Sequence, residues 1–169
     1  MKTAGVVLAV ILALALQTTL ARFVDGGTIA VDLVLVVVVY VALTSGPATG
    51  VLTGTFAWLM QDALSSNVIG IGGLSKTVVG FLAGVLGTQF IVAQSLPRFV
   101  VFFGATIVHA VVFMGLYVLL DLRHFGTPYA AVTGQAVGNA VVGVVAFQVV
   151  ELLPGAVERH RSQRTRLRR

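Results

Sequence analysis

Apolar residues along this chain gather into six blocks, separated by turn residues or charges: roughly Thr3–Leu20, Thr28–Leu43, Pro47–Leu64, Gly72–Val92, Phe99–Leu120 and Pro128–Leu153. A helix needs roughly 20 predominantly apolar residues to cross the hydrocarbon of a bilayer, so each block predicts one crossing. Pro47 and Pro128 open their blocks, where a missing N–H costs a helix little, and Pro97 and Pro154 stand outside the blocks as breakers. The stretch Val31–Tyr40 has the β-branched character of a strand. An isolated strand leaves its backbone unsatisfied in lipid, so a helix is expected there too.

Composition makes the membrane the solvent. Of 169 residues, 57% are hydrophobic and 10% charged, with mean hydropathy +1.01, whereas a soluble domain carries about 25% charge. Six crossings use about 120 residues and leave short loops and a tail. The expected fold is an all-α polytopic membrane protein of six transmembrane helices, with a transmembrane domain at 1–154 and an Arg-rich cytoplasmic tail at 155–169. There is no cysteine, so disulfides, thiolate metal sites and thiol nucleophiles are excluded.

The charge of +5 sharpens the topology. Six of the eleven basic residues are Arg159, Arg161, Arg164, Arg166, Arg168 and Arg169. The excess is a tail and not a nucleic-acid face. Lys2 and Thr19-Leu20-Ala21 give the first block some features of a cleaved signal peptide. Its apolar core is longer than such signals use, and the positive-inside rule places Lys2 and the tail on the same, cytoplasmic side. An even number of crossings, with the first retained, satisfies both. Arg98, with Ser95 and Pro97, then falls in a cytoplasmic loop. Arg22 and Asp25, Ser65–Ile69, and Asp121 to His124 fall outside. The tail has little apolar content and is expected to be disordered without a partner. Its default reading is contact with anionic lipids of the inner leaflet, about 1 kcal/mol per arginine; the alternative is a cytoplasmic partner such as a filament.

Glycines recur at spacings of four: Gly46, Gly50 and Gly54 at the start of the third block, Gly80 and Gly84 in the fourth, Gly134 and Gly138 in the sixth. Such rows let helix backbones approach closely. They pack helices within the monomer, or else one row docks a partner helix or a second copy in a homodimer.

Charge inside the hydrocarbon costs about 2.5–3.5 kcal/mol at mid-depth and marks a pair or a site. Asp32, Asp62 and Lys76 qualify. Asp62 closes the third block and Lys76 opens the fourth, so a hairpin places them at similar depth and an ion pair is expected, with Asp32 able to share the lysine. Gln17 and Thr18, Gln61, and Gln135 with Asn139 fall in the same outer half, and His109 lies near the middle of the fifth block. Two readings follow: a satisfied interhelical network, or a polar cavity open to the outer leaflet that holds a ligand or a partner's polar group. Trp58, a turn deeper than Asp62, is able to line such a cavity. His109 has no second His or carboxylate three or four residues on, so no metal is assigned, and no cofactor is called for.

Two chemistries are set aside. Gly70 to Thr77 imitates a phosphate-binding loop, G-x-x-x-x-G-K-[ST], but Ser75 replaces the required glycine and the segment runs into an apolar helix. The aspartates lie near one surface with a lysine as neighbour, which does not make a protease dyad, so no catalytic residue is assigned.

The stretch Asp32–Gly84 resembles the rod shape-determining protein MreD family. Asp32 opens the second helix, Leu33–Leu43 is the aliphatic run, and Gly46-Pro47 start the third helix with Gly50 and Gly54 on its face. Asp62 ends that helix, Gly70 and Gly72 form the loop, and Ser75-Lys76-Thr77 precede Gly80 and Gly84. Gln17-Thr18-Thr19 is similar to the family's N-terminal helix. The resemblance implies a non-enzymatic component of the bacterial cell-wall elongation machinery, in the cytoplasmic (inner) membrane. It implies MreC as partner and, indirectly, MreB, RodA and a class B penicillin-binding protein. It also implies an S-component-like bundle, and the positive-inside rule puts both termini on the cytoplasmic side. That likeness supplies the alternative: an S-component of an energy-coupling-factor transporter, capturing a vitamin from outside.

Overall fold

The computed structural model describes residues 3–23, 31–64, 71–90, 94–122 and 129–166. They form six helices in chain order: α1 Thr3–Phe23, α2 Leu33–Ser45, α3 Pro47–Leu64, α4 Ile71–Gln89, α5 Ser95–Leu119 and α6 Tyr129–Arg166. Among the described residues there is no strand. Among the described residues, four segments are long and apolar enough to cross a membrane: Thr3–Leu20, Ile71–Gln89, Ser95–Leu119 and Tyr129–Leu152.

The short α2, 13 residues long, is the axis of the bundle, and it touches each of the other five helices. This is the physical meaning of the valine run. A helix apolar all round is one with no face left for a polar solvent, and Val34, Leu35, Val36, Val38, Val39, Val41 and Ala42 are all buried. One side of α2 packs with Val79, Phe102, Ala140 and Phe147. Another packs with Val10, Leu14 and Ala57. The large apolar side chains left exposed, such as Leu12, Leu52, Val111 and Val145, are those a bilayer would cover.

A single residue, Gly46, joins α2 to α3. Its φ of +87° is in the region that L side chains avoid, and its N–H closes α2 on the Ala42 carbonyl at 2.9 Å. The chain reverses there, and α3 then lies along α4 in a close backbone contact. A Cβ added at Gly50 would strike the Gly80 carbonyl and stand 2.8 Å from the Ala42 methyl. One at Gly54 would stand 2.7 Å from the Lys76 carbonyl oxygen, and one at Gly84 2.6 Å from the Pro47 nitrogen. The glycine rows of α3 and α4 therefore face each other inside the monomer. Gly134, in contrast, has nothing within 4 Å of its missing Cβ.

Several expected boundaries move. Pro97 and Arg98 are not in a loop: α5 begins at Ser95. Pro97 sits in the first turn, where N–H groups have no intrahelical partner to lose. Pro154 does not end α6: the helix runs on to Arg166. The stretch after Pro154 carries four arginines up to Arg166 with one Ala, one Glu and one Gln, residues with good helical propensity. The second helix begins at Leu33 rather than Thr28. Thr28, Asp25, the Ser65–Ile69 loop, Gly70, His124, Pro128, Arg168 and Arg169 lie outside the described residues.

Candidate functional site

The N-terminus of α2 lies inside the bundle, and this creates the site. The first N–H groups of a helix have no intrahelical acceptor, and buried polar groups left unpaired are costly. Three side chains meet that need. Asp32 caps its own helix, its Oδ1 accepting from Leu35 N at 2.9 Å. Gln17 of α1 accepts from Val34 N at 3.3 Å through Oε1. Asn139 of α6 accepts from Asp32 N at 2.8 Å through Oδ1. The amide nitrogen of Asn139 then donates to Thr106 Oγ1 of α5 at 3.0 Å, and Thr106 donates to the Phe102 carbonyl at 2.9 Å.

The remaining carboxylate oxygen of Asp32 takes the only buried ion pair of the described residues. Lys76 Nζ of α4 lies 2.8 Å from Oδ2, with the two side chains 5% and 8% exposed. A single carboxylate thus neutralises a lysine and caps a helix. Helices α1, α2, α4, α5 and α6 are tied together at one level.

The expected Asp62–Lys76 pair is not what forms. Asp62 lies opposite Gly72, whose Cβ would stand 3.6 Å from Asp62 Oδ1. Gly72 is one turn, roughly 6 Å of helix rise, before Lys76. Asp62 instead accepts from Trp58 Nε1, four residues back on α3, at 2.6 Å. The Trp58 ring packs against Gly73, where a Cβ would overlap it, so it does not line the cavity.

That cavity, of about 350 Å³, opens beside the ion pair. It is bordered by Gln17, Asp32, Gln61, Asp62, Lys76, His109 and Gln135, together with Phe113 and Tyr117. His109 is 9% exposed, its Nδ1 is buried without a hydrogen-bond partner, and its ring lies 5.9 Å from that of Phe113. An orphaned buried acceptor or donor costs about 1–3 kcal/mol, which distinguishes His109 from its satisfied neighbours. Among the described residues no group of three or more His, Asp or Glu side chains is arranged to hold a metal ion.

Sequence reasoning missed a second polar cluster at the opposite end of the bundle. Arg98, 5% exposed, donates through Nη1 to Glu151 Oε2 of α6 at 2.9 Å and pairs through Nη2 with Oε1. Its guanidinium lies 4.4 Å over the Phe147 ring, which Tyr40 meets edge-on at 4.5 Å. The signal was present: an Arg directly before the fifth apolar block and a Glu inside the end of the sixth. Thr106 was missed because a lone threonine in an apolar helix ordinarily bonds its own backbone.

The chain matches the family of the rod shape-determining protein MreD over residues 1–154. No curated protein and no solved structure matches it. The chain belongs to the MreD family, bacterial membrane proteins of rod-shape determination.

Proposed function

We propose that this MreD-family chain is a non-enzymatic scaffold of the cell-wall elongation complex. In this reading it binds the transmembrane helix and juxtamembrane segment of MreC in the inner membrane, and so biases the activity of the wall synthase that RodA and a class B penicillin-binding protein form, alongside MreB. Both termini are cytoplasmic, six helices cross the bilayer, and the arginine tail lies on anionic lipid. The observation that carries a scaffold role is the network around Asp32. Asp32, Lys76, Gln17, Asn139 and Thr106 are consumed in tying five helices together, which makes a rigid body with lipid-facing sides. Because the Gly46, Gly50 and Gly54 row is already filled by α4, the MreC helix docks on another side of the bundle.

The cavity of about 350 Å³ favours a second reading, the vitamin-capturing S-component. Affinity capture from detergent separates the two. Co-expressed MreC retained by the tagged chain, with loss of rod shape when the chain is depleted, supports the scaffold. Recovery of ATPases with a transmembrane coupling subunit, and normal cell shape on depletion, would overturn it.

A further inference from the structure

We propose that the cavity between α1, α3, α4, α5 and α6 is a binding site for an uncharged, hydroxyl-rich ligand, a saccharide by chemical class. Its volume of about 350 Å³ is within the range of small-molecule sites, about 300–1,000 Å³. The choice of chemistry comes from what the lining leaves unused. The charge of Lys76 is cancelled by Asp32 at 2.8 Å and the Asp62 carboxylate accepts from Trp58 Nε1, so among the described residues lining the cavity no cation is left for a phosphate or carboxylate. An ammonium has three N–H donors, and Asp32 is its partner among the described residues. A neutral oxygen is the acceptor that fits.

The other polar groups ask for the same thing. His109 borders the cavity with a buried, unpartnered Nδ1. Gln61 and Gln135 border it as well, and an amide both donates and accepts. A hydroxyl does both too, so a ligand carrying several suits a lining that offers the Lys76 ammonium and two side-chain amides. Phe113 and Tyr117, with ring centroids 4.8 Å apart, form one wall, an apolar face for the C–H side of a sugar ring. The ligand arrives as a free saccharide or as the sugar headgroup of a membrane glycolipid.

The full chain in nanodiscs decides this, with Trp58 as its own probe. It is the only tryptophan, and its indole donates to the cavity residue Asp62. Glucose and N-acetylglucosamine test the free form. Nanodiscs containing glucosyl-diacylglycerol test the lipid-linked form, with phosphatidylglycerol alone as the blank. A saturable fluorescence change in one arm supports the proposal and names the source. Binding about tenfold weaker in His109→Phe or Gln135→Leu, the scale of one lost hydrogen bond, with helical content unchanged, places it in the cavity. No saturable change in either sugar arm means a cavity filled by water and overturns the proposal. So does an equal response to phosphatidylglycerol, or undiminished binding in both variants. MreC retention, measured on the same samples, reports on the scaffold role separately.

Discussion

The two ends of this bundle each hold one buried cation, and they satisfy it in opposite ways. At one end Lys76 and Asp32 are both almost wholly enclosed, and the N–H groups of Asp32 and Val34 are met by side chains from two other helices. At the other end Arg98 is enclosed but its partner Glu151 is 56% exposed in its side chain. The guanidinium also rests on Phe147. The difference teaches where solvent is available. A carboxylate that reaches the surface can be hydrated and needs one good partner. One beside a helix N-terminus in the interior has no water to fall back on, so it recruits a network. The interior pair is therefore the element that specifies how the helices meet, and the peripheral pair is an adjustment at a helix end.

Breaking the interior pair has the largest expected effect. Lys76→Met leaves Asp32 buried and uncompensated, which costs about 3–5 kcal/mol and is read as a lower melting temperature in detergent. Adding Asp32→Asn to it recovers most of the loss, because asparagine keeps the capping oxygen and removes the charge. If the double variant is no more stable than the single, the pair does not govern packing at that end. The backbone contact beside it comes next. Gly50→Ala forces a methyl onto the Gly80 carbonyl and costs about 1–3 kcal/mol or more. Gly134→Ala, at an open position, is neutral or stabilising by up to about 1 kcal/mol. Equal effects at the two sites would dissolve the distinction between a packed and an open position.

Asn139→Leu orphans Asp32 N and removes the donor to Thr106, a loss of about 1–3 kcal/mol, seen in thermal unfolding and in faster amide exchange at the start of α2. The smallest effect belongs to the other end. Glu151→Gln leaves Arg98 on Phe147 and lets water replace a carboxylate already exposed, so its melting temperature stays closest to that of the parent chain. A drop as large as that of Lys76→Met would erase the contrast between the two ends.

Much of this was legible in the chain. Apolar blocks announce helices because each buries or lipid-covers its length, and α3 begins at Pro47 and ends at Leu64 as the Pro and the closing polar residues predict. Asp32, Asp62, Lys76, Gln17, Gln135, Asn139 and His109 stand out because polar groups are expensive in hydrocarbon. Less visible was the role of the valine run. Periodicity cannot distinguish a helix facing lipid from one facing protein, since both surroundings are apolar.

Partner choice was settled in three dimensions. Asp62 and Asp32 are equivalent carboxylates by composition, and hairpin spacing favours Asp62. A turn of α4 separates Asp62 from Lys76, a glycine admits the Trp58 indole beside Asp62, and the buried start of α2 brings Asp32 to the ammonium. The sequence by itself determined an all-helical membrane protein, the polar residues inside it and the small residues that permit close contact, because those follow from solvent and side-chain size. Only the tertiary structure decided which carboxylate the lysine meets, which glycine rows are filled and where a cavity is left. These depend on the relative depth and rotation of helices far apart in the chain.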